Sequence, residues 1–333
     1  FTCYSQAENC DSLLQTLTLP GPFSTSYINE SDNIRNGPDY SGATIYYPTN
    51  SNQQLSSIVF VPGFMNNELT IQNWGPFLAA HGIVTMTIGT NALTNTPAQR
   101  KDALLDAIIT LKAENSRLVS PLYSILDTNS LSVGGFSMGG GGAQLAAVSD
   151  STLKAVVALY PWFEGATESS LNHSSPLLII SGQLDLIAAP SQHANIHYSV
   201  TPEETPKQRY EVQYATHDPI SGPNGGNGEV GIKVLAWLQS FLREQHCYCP
   251  ELPAIPATAS EFITNVNCGE LFIIGCADPT ACNFNSAANV EDASCWYPET
   301  YYDCEGNCLN DNDSDSVCDE LEVLGCTDTI ACN

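Results

Sequence analysis

Basic residues are what this chain has least of. Ten Lys and Arg stand against 36 Asp and Glu in 333 residues, a net charge of −26. Binding along a phosphate backbone needs clustered Lys or Arg, so nucleic acid is excluded as a partner. Long apolar runs are missing too. None approaches the roughly 18 residues of a membrane-spanning helix, so no membrane span is expected. The shortage of bases is uneven: residues 1–268 hold 22 acids and all ten bases, whereas residues 269–333 hold 14 acids and no base. Such a tail cannot neutralise itself, so it either binds cations or stays solvated.

The remaining composition is that of a folded extracellular protein. Hydrophobic residues make up 43% of the chain, enough for a core, and the length suits one domain of about 250 residues with a smaller appendage. Thirteen cysteines, five before residue 269 and eight after it, would have no purpose in a reducing cytosol and become bridges outside it. The chain opens at Phe1 without an initiator Met or a signal-peptide pattern, the expectation for a mature or trimmed secreted protein.

The tail carries a repeat. Gly275-Cys276-Ala277-Asp278-Pro279-Thr280-Ala281-Cys282-Asn283 returns fifty residues later as Gly325-Cys326-Thr327-Asp328-Thr329-Ile330-Ala331-Cys332-Asn333, with six of nine positions identical. One full unit therefore spans 275–324 and a second begins at 325, so further units are expected. Cys276, Cys282, Cys295, Cys304, Cys308 and Cys318 lie in a stretch too polar for much core, which leaves stabilisation to disulfides. Between them, Asp311, Asp313, Asp315, Asp319 and Glu322 fall at positions 1, 3, 5, 9 and 12 of a candidate calcium loop. Ser316 stands where such loops usually place Gly. A solvated acidic linker is the alternative, and the cysteines argue for order. The tail resembles the cysteine-rich, thrombospondin type 3-like calcium repeats of secreted marine Bacteroidetes proteins. That resemblance implies a stalk or a region serving secretion or cell-surface attachment.

Between residues 43 and 244, short β-branched apolar runs alternate with helical stretches. Strands are predicted at 43–47, 57–61, 83–88, 131–134, 155–160, 177–181 and 209–214, and helices at 73–81, 97–115, 138–148, 191–198 and 229–244. In the second helix Leu104, Ala107, Ile108 and Leu111 recur on one face. This alternation predicts an α/β fold with a mostly parallel central sheet flanked by helices.

One connection carries the chemistry. Gly135-Phe136-Ser137-Met138-Gly139 follows an apolar strand and opens a helix, the context of a nucleophile elbow in which small flanking residues let a strained turn lift the serine hydroxyl. No Lys follows the glycine run, so it is not a phosphate cradle. The serine needs a base and the base an orienting acid, in the chain order Ser, acid, His. Asp185 and His217 each lie just past a predicted strand in that order. His193 and His197 fall on a predicted helix as packing or surface residues, and Asp218 adjoins His217 too closely to reach its ring. Two backbone donors complete the expectation: Met138, and Phe64 in the turn Val61-Pro62-Gly63-Phe64-Met65, as an oxyanion hole.

With these residues identified, residues from about 21 to 268 resemble the bacterial cutinase-like polyesterases, which include the poly(ethylene terephthalate) hydrolases. The resemblance rests on Tyr46-Tyr47-Pro48-Thr49-Asn50, Trp74-Gly75-Pro76, Ser137-Met138-Gly139-Gly140-Gly141-Gly142 and Tyr160-Pro161-Trp162, with shorter matches at Gly21-Pro22-Phe23, Ile187-Ala188 and Ala236-Trp237-Leu238. It implies an α/β-hydrolase domain over 1–268 without a lid, followed by a disulfide-rich calcium-binding region over 269–333. It also implies Ser137, Asp185 and His217 as a triad needing no cofactor, and Phe64, Trp162, Ile187, Phe136 and His193 as residues facing the substrate. Phe136 replaces a usual His or Trp. Asp218 stands where Phe or Ser is usual and sets a negative charge beside the base. Gly182 and Pro219 occupy the positions of a bridge found in some members. Cys249 and Cys268 match a C-terminal bridge, and Cys3 with Cys10 forms an expected pair that leaves Cys247 unassigned. The implied function is that of a secreted, monomeric serine esterase acting on polyesters. A general lipase or short-chain esterase, and an adhesion module with an idle hydrolase core, are the competing readings.

Overall fold

The computed structural model describes residues 10–18, 20–51, 53–218, 222–322 and 325. They fall into two compact units that part between Asn267 and Cys268. The first runs α1 (Cys10–Gln15), β1 (Thr25–Asn29), β2 (Tyr40–Pro48), β3 (Leu55–Val61), α2 (Trp74–Ala80), β4 (Val84–Thr90), α3 (Pro97–Glu114), β5 (Leu126–Phe136), α4 (Met138–Ser149), β6 (Val156–Leu159), β7 (Leu177–Gly182), α5 (Ala194–Val200), β8 (Lys207–Val212), α6 (Glu229–Phe241) and β9 (Ala259–Thr264).

These strands form one nine-stranded sheet in the order β1-β2-β4-β3-β5-β6-β7-β8-β9. β4 through β8 in that order are parallel, and β1, β2 and β9 add antiparallel pairs at the two ends. β3, β4, β6 and β7 are buried at every residue, as expected for strands covered on both faces. This is the predicted α/β-hydrolase architecture. α3 opens with a capping box: Thr96 accepts from the Gln99 amide and the Gln99 side chain accepts from the Thr96 amide, with Pro97 in the first turn.

Helix α5 starts at Ala194, three residues later than predicted, because residues 189–193 form turns and only His193 caps the helix. The strands β1 and β9 lie outside the stretch that carried the sequence pattern. Both are edge strands with mixed burial, so their apolar signal is weak.

The bridge assigned to Cys3 and Cys10 is corrected. Cys10 is bonded to Cys247, because α1 packs against the 3₁₀ segment His246–Glu251 and brings the two Cα atoms to 4.8 Å. Cys3 lies outside the described residues. Closing a loop 237 residues long removes unfolded-chain entropy worth about 5 kcal/mol on the loop-closure account. Cys249 and Cys268 are each disulfide-bonded.

The second unit contains α7 (Cys268–Leu271), β10 (Ile274–Gly275) and β11 (Val290–Glu291), the two strands pairing in parallel. Cys276–Cys295, Cys282–Cys304 and Cys308–Cys318 are bridged, so all six cysteines of the complete repeat are used. The first two bridges interleave along the chain. The beginning of the second repeat lies outside the described residues except for Gly325.

Packing is also tight at the start of α4. A Cβ on Gly135 would overlap the Gly139 carbonyl, and a Cβ on Gly139 would overlap the Val61 carbonyl oxygen and sit 2.6 Å from that of Pro62. The motif glycines are therefore required by close approach of α4 to the end of β3. Gly139→Ala is expected to cost about 1–3 kcal/mol and to lower Tm by about 3–10 °C in a thermal melt. An unchanged melt would mean that α4 does not press against β3 in this way.

Candidate active site

Ser137 sits between β5 and α4 with φ 56° and ψ −120°, a left-handed backbone that a non-glycine residue rarely adopts. Surrounding hydrogen bonds enforce it. The Ser137 amide donates to the Leu159 carbonyl at 2.9 Å, and its own carbonyl accepts from the Trp162 amide at 2.9 Å and the Gly141 amide at 3.1 Å. Gly63 lies directly against it, since a Cβ there would meet Ser137 Cβ at 2.7 Å. The serine is thus clamped between the ends of β3, β5 and β6.

Asp185 follows β7 and His217 follows β8. Their parallel pairing through Gly182 and Val212, and the bond from the Leu184 amide to the Ala215 carbonyl at 2.8 Å, bring the two loops together. Asp185 Oδ2 lies 2.6 Å from His217 Nδ1, while Oδ1 accepts from the Ile187 and Ala188 amides at 2.8 Å each. Burial pushes this carboxyl up, but the His217 bond and the two amides outweigh it and hold Asp185 below its ordinary value. The acid therefore stays ionised at neutral pH and fixes the His217 tautomer with Nε2 free to accept. The His217 ring packs 4.7 Å from the Phe136 ring and 6.1 Å from Tyr160. Phe136 is the residue before Ser137, so the imidazole stands beside the elbow.

Met138 is the first residue of α4, where amides have no intrahelical acceptor and the helix dipole is positive. Among the described residues the Phe64 amide also donates to no protein acceptor. The turn holding Phe64 is fixed from both sides: the Met65 amide donates to the Leu93 carbonyl at 2.8 Å, and Met65 adopts φ 57°. Beneath it lies Arg100, which the sequence reading missed. Its wholly buried guanidinium donates to the Pro62 carbonyl at 2.9 Å and the Leu93 carbonyl at 3.0 Å, and burial pulls its pKa down to about 10. The signal was present, because Arg100 falls on the same helical stripe as Leu104, Ala107, Ile108 and Leu111.

Five residues were expected to face the substrate, and they divide. Phe64 is 48% exposed and Ile187 66%, and Trp162 is half-buried. Phe136 does not form an open groove wall: its side chain is buried against His217 and Tyr160. His193 is also buried, with its ring 5.5 Å from that of Trp162 and its Nδ1 3.4 Å from the Phe163 amide, so it backs the tryptophan. His197 is buried too. It is hydrogen-bonded to Gln144 and the Phe163 carbonyl, and burial lowers its pKa to about 4. Further apolar side chains ring the site unannounced by any motif. Leu186 is 93% exposed on the Asp185 loop, beside the exposed Leu184, and Met65, Leu93 and Tyr214 are likewise exposed.

In the second unit, Asp311, Asp313 and Asp315 present carboxylate oxygens within 4.8 Å of one another. Asp311 accepts from the Asp315 and Ser316 amides, and Ser316 adopts φ 72°, the conformation for which glycine is usual there. Asp319 is engaged by the amide and side chain of Asn312. Repulsion from Asp313, followed by Asp315, Asp319 and Asp311, raises the Glu322 carboxyl above its ordinary value. Glu322 thus lies in the field of the other four expected ligands, and an all-oxygen donor set suits a hard cation. No side chain around Ser137, Asp185 and His217 forms a metal-ligand cluster among the described residues.

A family model described as PETase, PET hydrolase-like, matches residues 8–268. The chain is 34% identical over 252 residues to a bis(hydroxyethyl) terephthalate hydrolase of Streptomyces coelicolor, covering 74% of this chain and 77% of that protein. It is 35% identical over 242 residues to cutinase est1 of Thermobifida alba, covering 72% and 77%. It is 35% identical over 244 residues to cutinase 1 of Thermobifida cellulosilytica, covering 72% and 88%. With its parallel sheet, its serine elbow and these relatives, the chain belongs to the PET hydrolase-like family of carboxylic ester hydrolases.

Proposed function

We propose that this protein is a secreted serine esterase that cleaves polyester chains through an acyl-enzyme, with Ser137 as nucleophile, His217 as base and Asp185 as orienting acid. The reading rests on the 2.6 Å Asp185–His217 bond beside a serine held at positive φ. His217 Nε2 takes the proton as Ser137 Oγ attacks the ester carbonyl, and the buried Asp185 stabilises the imidazolium that forms. The developing oxyanion is met by the Phe64 and Met138 amides. The imidazolium then protonates the leaving alcohol, and water activated by the same base releases the acid.

The apolar surround supports a polymer as substrate. Phe64, Met65, Leu186 and Ile187 lie bare beside the part-buried Asp185–His217 pair, an arrangement that costs solubility unless an apolar surface covers it. A film or polymer chain supplies that cover, and a small soluble ester does not. Asp218 beside His217 repels the doubly ionised terephthalate product more than a hydroxy acid with one carboxylate, so aliphatic polyesters are the better substrates. The bridged cysteines support an oxidising extracellular setting, in which the enzyme acts as a monomer. Residues 1–268 form the catalytic part, and residues 269–333 form a repeat tail that binds calcium through Asp311, Asp313, Asp315, Asp319 and Glu322 and serves secretion or surface attachment.

The catalytic assignment is tested with a p-nitrophenyl ester, a polycaprolactone film, a poly(ethylene terephthalate) film and an emulsified triglyceride. Hydrolysis of polycaprolactone faster than of the aromatic film is expected, with Ser137→Ala lowering every rate by about 10³-fold or more. Hydrolysis surviving in Ser137→Ala would remove the serine from the mechanism, and dominant triglyceride activity would make the protein a lipase.

The polymer reading has its own check in Leu184→Asn/Leu186→Asn. The ratio of film to soluble-ester rates is expected to fall about fivefold or more, because adsorption is lost while the ester bond is still reached. A constant ratio would show that these leucines do not meet the polymer.

For the tail, limited proteolysis with and without a calcium chelator should cut residues 269–322 faster in the chelated sample. Asp313→Asn/Asp315→Asn should abolish the difference. Identical digestion patterns in the wild type would count against calcium binding.

A further inference from the structure

The second unit leaves its largest aromatic side chains in the open. Trp296 is 49% exposed and Tyr297 51%, in a segment with too little apolar material to leave such groups outside without consequence. They line a cavity of about 470 Å³ on the surface of the unit, together with Glu299, Tyr302, Asp303 and Gly306.

The walls are held rigidly. The Cys282 amide donates to the Trp296 carbonyl at 2.9 Å, and the Trp296 amide donates to Asn283 Oδ1 at 3.0 Å. Tyr297 is fixed by its hydroxyl, which donates to Asp278 at 2.7 Å. The Tyr302 amide donates to the Glu299 carbonyl at 3.0 Å, closing a turn in which Tyr301 adopts φ 77°, a conformation that a bulky residue rarely takes. Cys282–Cys304 and Cys276–Cys295 staple both sides of this turn. The aromatic faces are thus set before any ligand arrives, which lowers the entropy cost of binding.

The polar chemistry of the cavity selects its occupant. Asp303 is used internally by Asn307 and Glu305, whereas the Glu299 carboxylate has no partner among the described residues and can only accept hydrogen bonds. A polyester carries acceptors and no donors, so it leaves Glu299 unmatched. Anionic polymers and anionic lipid surfaces are repelled, because residues 269–333 contain acids and no base. What remains is a neutral chain that presents apolar ring faces to the aromatics and hydroxyl donors to the carboxylate.

We infer that the Trp296–Tyr297–Tyr302 cavity is a binding site for a neutral polysaccharide, a function separate from ester hydrolysis. Each sugar ring stacks its C–H face on Trp296 or Tyr302 and donates a hydroxyl to Glu299. A hydrolase with such a tail is retained on a carbohydrate matrix in which an ester polymer is embedded.

The test is retention of the intact protein on amorphous cellulose, chitin and curdlan, with alginate as the anionic comparison. Retention on at least one of the three neutral polymers, and not on alginate, is expected. Trp296→Ala and Glu299→Gln should each lower the bound fraction about fivefold or more. Trp296→Phe, which keeps an aromatic face and the fold, should retain most of it, and so should Leu309→Ala, an exposed change outside the cavity. Failure of all three neutral polymers to retain the protein would overturn the proposal. Retention indifferent to Trp296→Ala and Glu299→Gln would overturn it as well, as would a Trp296 dependence seen only on a polycaprolactone film.

Discussion

The contact on which the candidate site depends is the approach of one helix backbone to the strand ends around it. In α4 Met138 is followed by four successive glycines, and a Cβ on Gly139, Gly141 or Gly142 would overlap backbone or side-chain atoms of other segments. That closeness has two effects. It lets the Ser137 carbonyl be shared by the Trp162 and Gly141 amides, which stabilises a backbone conformation that is unfavourable in isolation. It also brings the open amide end of a twelve-residue helix against the loop that carries Phe64. Strain at the serine and preorganised donors are therefore two results of the same packing. Arg100 completes it from below by holding the carbonyls of Pro62 and Leu93.

Scarcity of basic residues has a sharper meaning once burial is known. Arg100, Lys207, Arg209 and Lys233 are buried, four of the ten bases, so solvent meets at most six. Lys207 is capped by the carbonyls of Tyr198 and Thr201, and Lys233 by those of Glu251 and Ala254. These cations tie loop backbones to the sheet and to α6. Asp106, Glu114 and Asp185 are buried as well, so the surface outside keeps nearly the acidity that the composition indicates, and its self-repulsion weakens as salt screens it.

Much of this was legible in the sequence, for identifiable reasons. The central strands announced themselves because burial on both faces demands uninterrupted apolar runs. Asp185 and His217 could be chosen because each follows such a run and the chain order restricts the alternatives. β1 and β9 were not legible, since edge strands carry half the apolar signal and gain stability from pairing. The first five residues of β5, beginning at Leu126, lie outside the predicted strand at 131–134 and join the sheet through a register shift opposite Leu55. Phe136 and His193 were placed at the groove only through the family resemblance, whereas the packing turns both inward. The exposed Leu184 and Leu186 had no motif to mark them. Disulfide connectivity was beyond reach at Cys10 and Cys247, because only the packing of α1 on a distant turn makes them neighbours.

That last bridge changes what damage means for this molecule. It joins the chain near one end of the hydrolase unit to a point 237 residues further on, so almost all of the sheet lies inside a covalent ring. A single peptide-bond cut in any exposed loop of the ring opens it without producing two separate pieces. The fragments stay tethered, with their strands still aligned in the sheet, and a nicked molecule can persist as a working one until a second cut or a reductant releases the parts.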